Sequence, residues 1–553
     1  MNSPVRRHFV TVGMRQVHYR RAGAGPPVLL LHQTPTSSAE LIPLMQRLSS
    51  TCTVLAPDMP GYGASDPLGQ DGLSVPALAD NVAAFMDALG LRRAGVYGYH
   101  TGASVACSLS SRHPQRVSVA FCEGLLCLTP AERELMLARY VEPWEPRWDG
   151  AHLCWLWSRI KDQSVFFPWY ERAASARLEL DASLTDSLHA SAREWLKAGS
   201  EYGAAYAAAF RYDPLPDLAA GTVPRYLMAR EGDPLREHLQ RVPPGCPQLR
   251  LDSFASGEGC AEHVRRILDQ LPTQAPAPAA PRVRAMPDRV WQDYALVSGL
   301  QLRVLRRAGQ GAPCLLLHAA QSSLRSCAAP LSRLAPGHCG LAVELPGHGE
   351  SDALTSAQAE DPGCVAELLR AALRTLSMQG CHGVGIGAGG SLLVEMRRQW
   401  KELIATMSLV QPIDVSEEPP LQRALLDSYV APAAQFHGGH LLRAWHEVRD
   451  HLLFFPWFER SRACAGGEPW IDTASIHART VEMILAGEAG AALRRAELRY
   501  PLRQRLHELN EPVVFGAPAW DPRQAHIRRM AGSRWSFVPL PREPAEWLRS
   551  LLR

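Results

Sequence analysis

Short apolar runs alternate along the chain with longer stretches whose apolar residues recur every three or four positions. "PPVLLLH" (26–32), "TCTVLAPD" (51–58), "GVYGYH" (95–100) and "VSVAFCE" (117–123) are continuous apolar runs of strand length, and "LSVPALADNVAAFMDALGL" (73–91) has helical periodicity. Strands that are apolar throughout, with no polar alternation, must be buried on both faces. Joined through helices, they predict an α/β fold with a mostly parallel sheet covered by helices. Ligands on such sheets bind beyond the carboxyl ends of the strands. After Glu123 a long, Trp-rich helical stretch, about 128–215, intervenes before the pattern resumes at "VPRYLMAREGDP" (223–234). An insert at that point is expected to lie over the strand ends as a lid.

The same order of elements occurs twice. "HYRRAGAGPPVLLLHQTPTSS" and "VLAPDMPGYGASDPL" in the first half answer to "VLRRAGQGAPCLLLHAAQSS" and "LAVELPGHGESDAL" in the second. The offset is 286 from His32 to His318 and from Pro60 to Pro346, 287 from Gly98 to Gly385, and 288 from Pro168 to Pro456 and from Asp233 to Asp521. So constant an offset over a long span means that each half is a complete folding unit, a tandem pair rather than a solenoid of short repeats. The expected organisation is a first domain over 1–272, a stiff Pro/Ala-rich linker over 273–288, and a second domain over 289–553 with its own cap at about 415–505.

Composition narrows the possible partners. A formal net charge of +3 over 553 residues gives no reason to expect nucleic acid or an anionic membrane surface. The thirteen cysteines contain no C-x-x-C pair or other metal-ligand spacing, and the opening "MNSPVRRHFVTVGMRQ" lacks the apolar core of a signal peptide. These features predict reduced thiols, a cytoplasmic location, and no metal or other cofactor. The expected partners are a small-molecule substrate and contact between the two halves. Cys107 is the first thiol to test for reactivity, though its place on an apolar helix reads as a buried structural cysteine.

Chemistry concentrates where the strand "AGVYGYH" turns into the small-residue helix "TGASVACSLSSRHP". The junction, "GYHTG" (98–102), has the setting of a G-x-S-x-G nucleophile elbow with His100 in place of the nucleophile; the second half has "GIGAG" with Gly387 there. Both halves resemble the α/β-hydrolase superfamily, close to the capped subgroup of haloalkane dehalogenases, epoxide hydrolases and C–C bond hydrolases. "LLLHQTPTSS" is similar to its oxyanion-strand motif, "DMPGYGASD" to the loop after the next strand, "GYHTG" to the elbow, and the "GDP" of Asp233 to the late triad acid. The resemblance covers most of each half and implies two tandem α/β-hydrolase folds, each with a helical cap. It also implies a triad histidine before the last helix. Phe254 or a neighbour stands at that point in the first half, with His263 inside the helix and expected to be exposed; the second half has no histidine there.

Gly387 has no side chain to react, so the second half is read as catalytically empty. His is among the non-glycine residues that tolerate the positive φ of an elbow, and a helix N-terminus disfavours its charged form. His100 is therefore the candidate general base, with Asp233 and Glu123 as carboxylates that could orient it; Asp521 and Gln411 are read as their counterparts. The backbone N–H of Thr101, with that of Gln33 or Thr34, would form the oxyanion hole. In the cap, His152 and Trp157 recur as His440 and Trp445 and are candidate substrate contacts, though persistence in the empty copy favours packing. His32 is expected to brace the oxyanion loop, and Ser37 and Ser38 to cap a helix. The expected activity is cofactor-independent cleavage of a small, partly apolar carbonyl compound. The alternatives are a lyase, isomerase or cyclase in the same pocket, or a non-catalytic ligand receptor or scaffold.

Overall fold

The computed structural model describes residues 3–69, 73–246, 249–272, 274–286, 289–335 and 337–552. The first sheet is built from β1 (Arg6–Val12), β2 (Arg15–Ala22), β3 (Pro27–Leu31), β4 (Thr53–Pro57), β5 (Ala94–Tyr99), β6 (Val117–Glu123), β7 (Arg225–Arg230) and β8 (Leu249–Phe254), in the order β1-β2-β4-β3-β5-β6-β7-β8. The second uses β9 (Val290–Val297), β10 (Leu300–Arg307), β11 (Cys314–Leu317), β12 (Gly340–Val343), β13 (Cys381–Ile386), β14 (Ile404–Val410), β15 (Val513–Pro518) and β16 (Ser536–Leu540). Its order, β16-β15-β14-β13-β11-β12-β10-β9, is the same arrangement. In each sheet the first strand pairs antiparallel with the second and the second with the fourth, and all other pairings are parallel. The fold class is thus two mostly parallel α/β sheets covered by helices.

The continuous apolar runs lie where burial on both faces demands them. Every residue of β3, β4 and β6 is buried. The periodic stretch after residue 72 forms the helix Val75–Ala88, capped by Ser74, whose side chain accepts the Ala77 N–H; Leu78, Val82 and Phe85 lie on its buried face. Between β6 and β7 come the cap helices Pro130–Arg139, Ala151–Gln163, Thr185–Ala198, Gly203–Arg211 and Leu215–Ala220. The second cap, between β14 and β15, contains Pro419–Ser428, Gly439–His451, Leu502–Leu509 and the helical segment Thr473–Arg499, broken at Gly487 where φ is 50°.

The chain divides into two compact units, one of Met1–Glu145 with Trp155–Arg284, the other of Pro146–Cys154 with Ala285–Arg553. The short piece Pro146–Cys154, expected in the first cap, therefore groups with the second unit. Its ring contact explains why: His152 meets Trp445 edge-on with centroids 4.9 Å apart, and Gly150 fits where a Cβ would come within 2.8 Å of the same indole. Of the expected linker, 274–286 has neither helix nor strand, and Ala277 N–H donates to Gly25 O at 3.0 Å. Residues 273, 287 and 288 lie outside the described residues.

Glu447, on the helix Gly439–His451, is 4% exposed, and its Oε1 meets no hydrogen-bond donor among the described residues. Burial pushes its carboxyl up to about 7, against the opposing pull of Arg443 and Arg494. A folded-state value raised above the unfolded one means stability that is complete below the unfolded value and lost as pH rises through about 7. Glu447→Gln is expected to leave the unfolding free energy unchanged near pH 4 and to raise it by about 3 kcal/mol near pH 8. Denaturant melts at the two pH values check this; an equal effect at both would contradict it.

Candidate active site

His100 occupies the turn from β5 into the helix Thr101–Arg112, at φ 49° and ψ −108°. Gly387 takes nearly the same backbone at the matching turn, φ 52° and ψ −121°. Both turns are pinned alike, His100 N–H to Glu123 O and Gly387 N–H to Val410 O, each at 2.9 Å. The imidazole Nε2 lies 3.1 Å from Asp233 Oδ2. The ring stacks on Tyr99 with centroids 4.1 Å apart. Its side chain remains 23% exposed, whereas that of Asp233 is 3% exposed. A hydrogen-bonded, incompletely covered imidazole at the carboxyl end of a central strand can exchange protons with a ligand there.

Asp233 follows β7, and its second oxygen accepts the Leu235 N–H at 2.8 Å. Burial pushes its carboxyl up, but His100, through charge and hydrogen bond, and the Leu235 amide bring it below the ordinary range. It is therefore an anion beside the imidazole. Gly124 makes the arrangement possible, since a Cβ there would come within 2.2 Å of the His100 ring.

The shared pinning fixes which residues correspond. Glu123 matches Val410, and Gly124 (φ 65°) matches Gln411 (φ 52°). Gln411, read from the sequence as the counterpart of Glu123, is thus one position out of register. In the second unit Gln411 Nε2 donates to Asp521 Oδ2 at 2.7 Å, and Arg523 closes on the same carboxylate through Nε at 3.0 Å and Nη2 at 2.9 Å. Each late aspartate thus has a partner in the floor of its unit: an imidazole where the neighbour is glycine, an amide where the elbow is glycine.

Glu123 does not orient His100 through its carboxylate. It ends a fully buried strand, and its side chain is turned to a different set of partners. Oε2 accepts from Tyr97 Oη at 2.6 Å and from Cys260 Sγ at 2.7 Å, and Arg230 Nε pairs with Oε1. Only its backbone carbonyl reaches His100.

The expected oxyanion hole is also altered. Gln33 N–H donates to Glu40 Oε1 at 2.7 Å, and Gln33 Nε2 to Glu40 Oε2 at 3.1 Å. Thr34 and Thr101 join their hydroxyls at 2.8 Å in a buried contact. Thr101 opens the helix, so its N–H belongs to the first turn that the helix leaves unbonded. Glu40, half-buried, is the site residue that sequence reasoning missed. Burial pushes its carboxyl up, opposed by His32, Gln33 and Thr36. The legible signal was asymmetry between the copies, because the 286 offset puts Ser326 opposite Glu40.

His32 braces the loop as expected. Its Nδ1 lies 2.7 Å from Gln33 O, and its Nε2 accepts the Met59 N–H at 2.7 Å; His318 repeats both bonds at 2.8 and 2.9 Å. Ser37 caps the short turn Ser38–Leu41.

His152 is placed elsewhere. Its Nδ1 accepts the Arg147 N–H at 3.0 Å, as His440 Nδ1 accepts the Gln435 N–H at 3.2 Å, five residues before in each case. Its Nε2 lies 3.1 Å from His477 Nδ1, and burial pushes its pKa down to about 4. Trp157 is 2% exposed within the cap. The His152 ring packs on Trp445 and His477, with centroids 4.9 and 5.1 Å away.

His263 is not exposed as expected: its ring meets those of Phe254 at 5.0 Å and Tyr226 at 5.6 Å, with Nε2 3.3 Å from Asp252 Oδ2. Burial pushes Cys107 up to about 12, a structural thiol. Among the described residues no cluster of His, Cys, Asp or Glu has the arrangement of a metal site, and no helix is long and apolar enough to cross a membrane.

A family profile for the alpha/beta hydrolase fold matches residues 26–148. The chain is 33% identical over 106 residues to a soluble epoxide hydrolase of Corynebacterium sp., covering 19% of this chain and 37% of that one. It is 31% identical over 120 residues to a 2-hydroxymuconate semialdehyde hydrolase of Pseudomonas sp., covering 21% and 42%. The match spans roughly a third to two fifths of the length of such curated relatives. Among solved structures, epoxide hydrolase A of Mycobacterium thermoresistibile aligns with a TM-score of 0.39 and 16% identity, over 49% of this chain and all of that one.

Proposed function

We propose that the first unit is a cofactor-independent enzyme of the α/β-hydrolase fold that acts on a small, partly apolar carbonyl compound with His100 as general base. The observation that carries this reading is the 3.1 Å contact of the partly exposed imidazole with an anionic, buried Asp233. A carboxylate on one ring nitrogen fixes the tautomer and leaves the other nitrogen to take a proton from water or substrate. The Thr101 N–H, at the positive end of its helix, supports a developing oxyanion. Relatives named as hydrolases, and a hydrolase-fold profile over residues 26–148, a segment that includes the elbow, agree with hydrolysis. On this reading the chain is a tandem duplicate in which one elbow kept a reactive side chain and the other lost it.

A second reading, proton transfer without hydrolysis as in a lyase, isomerase or cyclase, is favoured by Glu40. It holds the Gln33 amide that would have been the second oxyanion donor, and a carboxyl raised by burial is suited to donate a proton. Turnover of a panel of esters, enol lactones and β-diketones in H2 18O and in D2O separates the two. Hydrolysis puts solvent oxygen into the product, whereas proton transfer puts in deuterium at carbon with no new oxygen.

Asp233 is a positioning residue. Asp233→Asn keeps the size of the side chain but removes the charge that fixes the tautomer. It is expected to lower kcat by about 10²-fold with KM nearly unchanged. Equal kcat in variant and wild type would remove Asp233, and with it the oriented base.

A further inference from the structure

The second unit lacks a reactive elbow, yet it holds a large cavity. Its volume is about 650 Å³, and all of its lining residues lie between Ala319 and Trp547. Ala319 follows β11, Gly387 follows β13, Gln411 follows β14 and Asp521 follows β15, so the cavity sits beyond the carboxyl ends of the parallel strands. Gly387 adds no side chain to the floor, which leaves the space open.

Four arginines and four carboxylates, Asp472, Glu482, Asp521 and the exposed Glu543, line the cavity, but they are not all paired with one another. Of the guanidinium groups that line it, Arg523 is committed to Asp521, and Arg494 to Glu497 at 2.6 Å. Arg325 and Arg479 are not committed: among the described residues neither side chain has a carboxylate within ion-pair distance. The carboxylate that acts on both, Glu482, gives its oxygens to two hydroxyls, Ser322 Oγ donating to Oε2 at 3.0 Å and Ser323 Oγ to Oε1 at 2.8 Å. Asp472, also in the lining, accepts the N–H groups of Ala474 and Ser475 at the start of its helix. Burial lowers the pKa of Arg479 against the opposing pull of Glu482 and Asp521, whereas Arg325 is exposed at the rim of the cavity. Part of the remaining wall is apolar and aromatic: the Arg479 guanidinium lies over the Trp520 ring, 4.8 Å from its centroid, and Tyr429, Ile413 and Trp470 line the same space, beside polar residues such as Gln321 and Ser475.

We propose that this cavity binds an organic anion, with a carboxylate or phosphate head held by Arg325 and Arg479 and an apolar body against the aromatic wall. Arg325 is exposed at the rim and Arg479 half-buried in the wall, both without a carboxylate partner among the described residues, and a planar guanidinium fork fits either head group through paired, charge-assisted hydrogen bonds. The site is independent of His100. It gives the catalytically empty half a task, either carrying a ligand of its own or reporting an acidic metabolite.

Isothermal titration of the full chain with benzoate, phenyl phosphate and benzamide tests the proposal. One or both anions are expected to bind more tightly than the neutral amide, the better of the two naming the head group. Arg325→Ala and Arg479→Ala are each expected to raise Kd about tenfold or more, with Arg479→Lys intermediate because it keeps the charge but loses the fork. His100→Ala is expected to leave Kd unchanged. Glu482→Gln removes a negative charge while still accepting from a serine, and is expected to tighten anion binding severalfold, which keeps the test decisive if an arginine variant fails to fold. Equal affinity for benzamide, anion binding indifferent to Arg325 and Arg479, or no binding of either anion at millimolar concentration would overturn it.

Discussion

Replacing His100 by glutamine is expected to lower kcat/KM for any compound the protein turns over by about 10²- to 10⁴-fold while leaving the fold intact. The magnitude is that of a lost general base, because the amide cannot take up a proton. Glutamine is chosen because it keeps an amide donor for the late aspartate, the kind of partner that Gln411 gives Asp521 at 2.7 Å from a different position in the second unit. A glutamine at position 100 carries its amide nitrogen about as far from the backbone as the His100 Nε2 that now lies 3.1 Å from Asp233. Alanine is the harsher substitution. It leaves the buried Asp233 without its imidazole partner, so loss of rate would be mixed with loss of stability. Activity in His100→Gln equal to wild type would remove the catalytic role. A compound that binds the first unit in both proteins and is converted by neither would favour the receptor alternative.

The largest expected effect on stability lies two loops away. Asp58 is 2% exposed and accepts from His18 Nδ1 at 2.7 Å, Ser38 N–H at 2.8 Å, Ser38 Oγ at 2.5 Å and Ala64 N–H at 2.9 Å, with Arg20 Nη1 3.9 Å away. Glu344 does the same work in the second unit, accepting the N–H groups of Leu324 and Glu350 with Arg303 3.9 Å away. Asp58→Ala strands all of these donors in the interior and is expected to cost about 3–5 kcal/mol. Burial pushes the Asp58 carboxyl up, but His18 and Arg20 outweigh it and hold the group far below the usual carboxylate range. A depressed folded-state value contributes stability that is present above the unfolded value and lost as pH falls toward the folded one. The gap between wild type and variant is therefore expected to be full near neutrality and to narrow in acid below about pH 4. Melts across that range check it; a gap that does not change with pH would mean that Asp58 acts by shape alone.

Much of the architecture was written in local pattern. Continuous apolar runs specify buried strands, three-and-four periodicity specifies the covering helices, and the near-constant offset between the halves specifies that the arrangement occurs twice. Those properties depend on neighbours in the chain. The elbow was legible for the same reason: small residues around positions 100 and 387 are needed wherever a strand turns tightly into a helix, as the paired φ values of 49° and 52° bear out.

What only the tertiary structure decided was pairing. Sequence offered Asp233, and Glu123 as the alternative, as partners of His100, because one follows a strand and the other ends one. Side-chain direction separates them: Glu123 is spent on Tyr97, Cys260 and Arg230, and Asp233 alone reaches the imidazole. Glu40 could pass for a surface residue of a first turn until it was found on the Gln33 amide. Arg325 and Arg479 lie 154 positions apart and line one cavity. Periodicity reports which face of an element is buried, whereas the side chains that share a pocket are selected by how separate elements pack, and no local pattern records that distance.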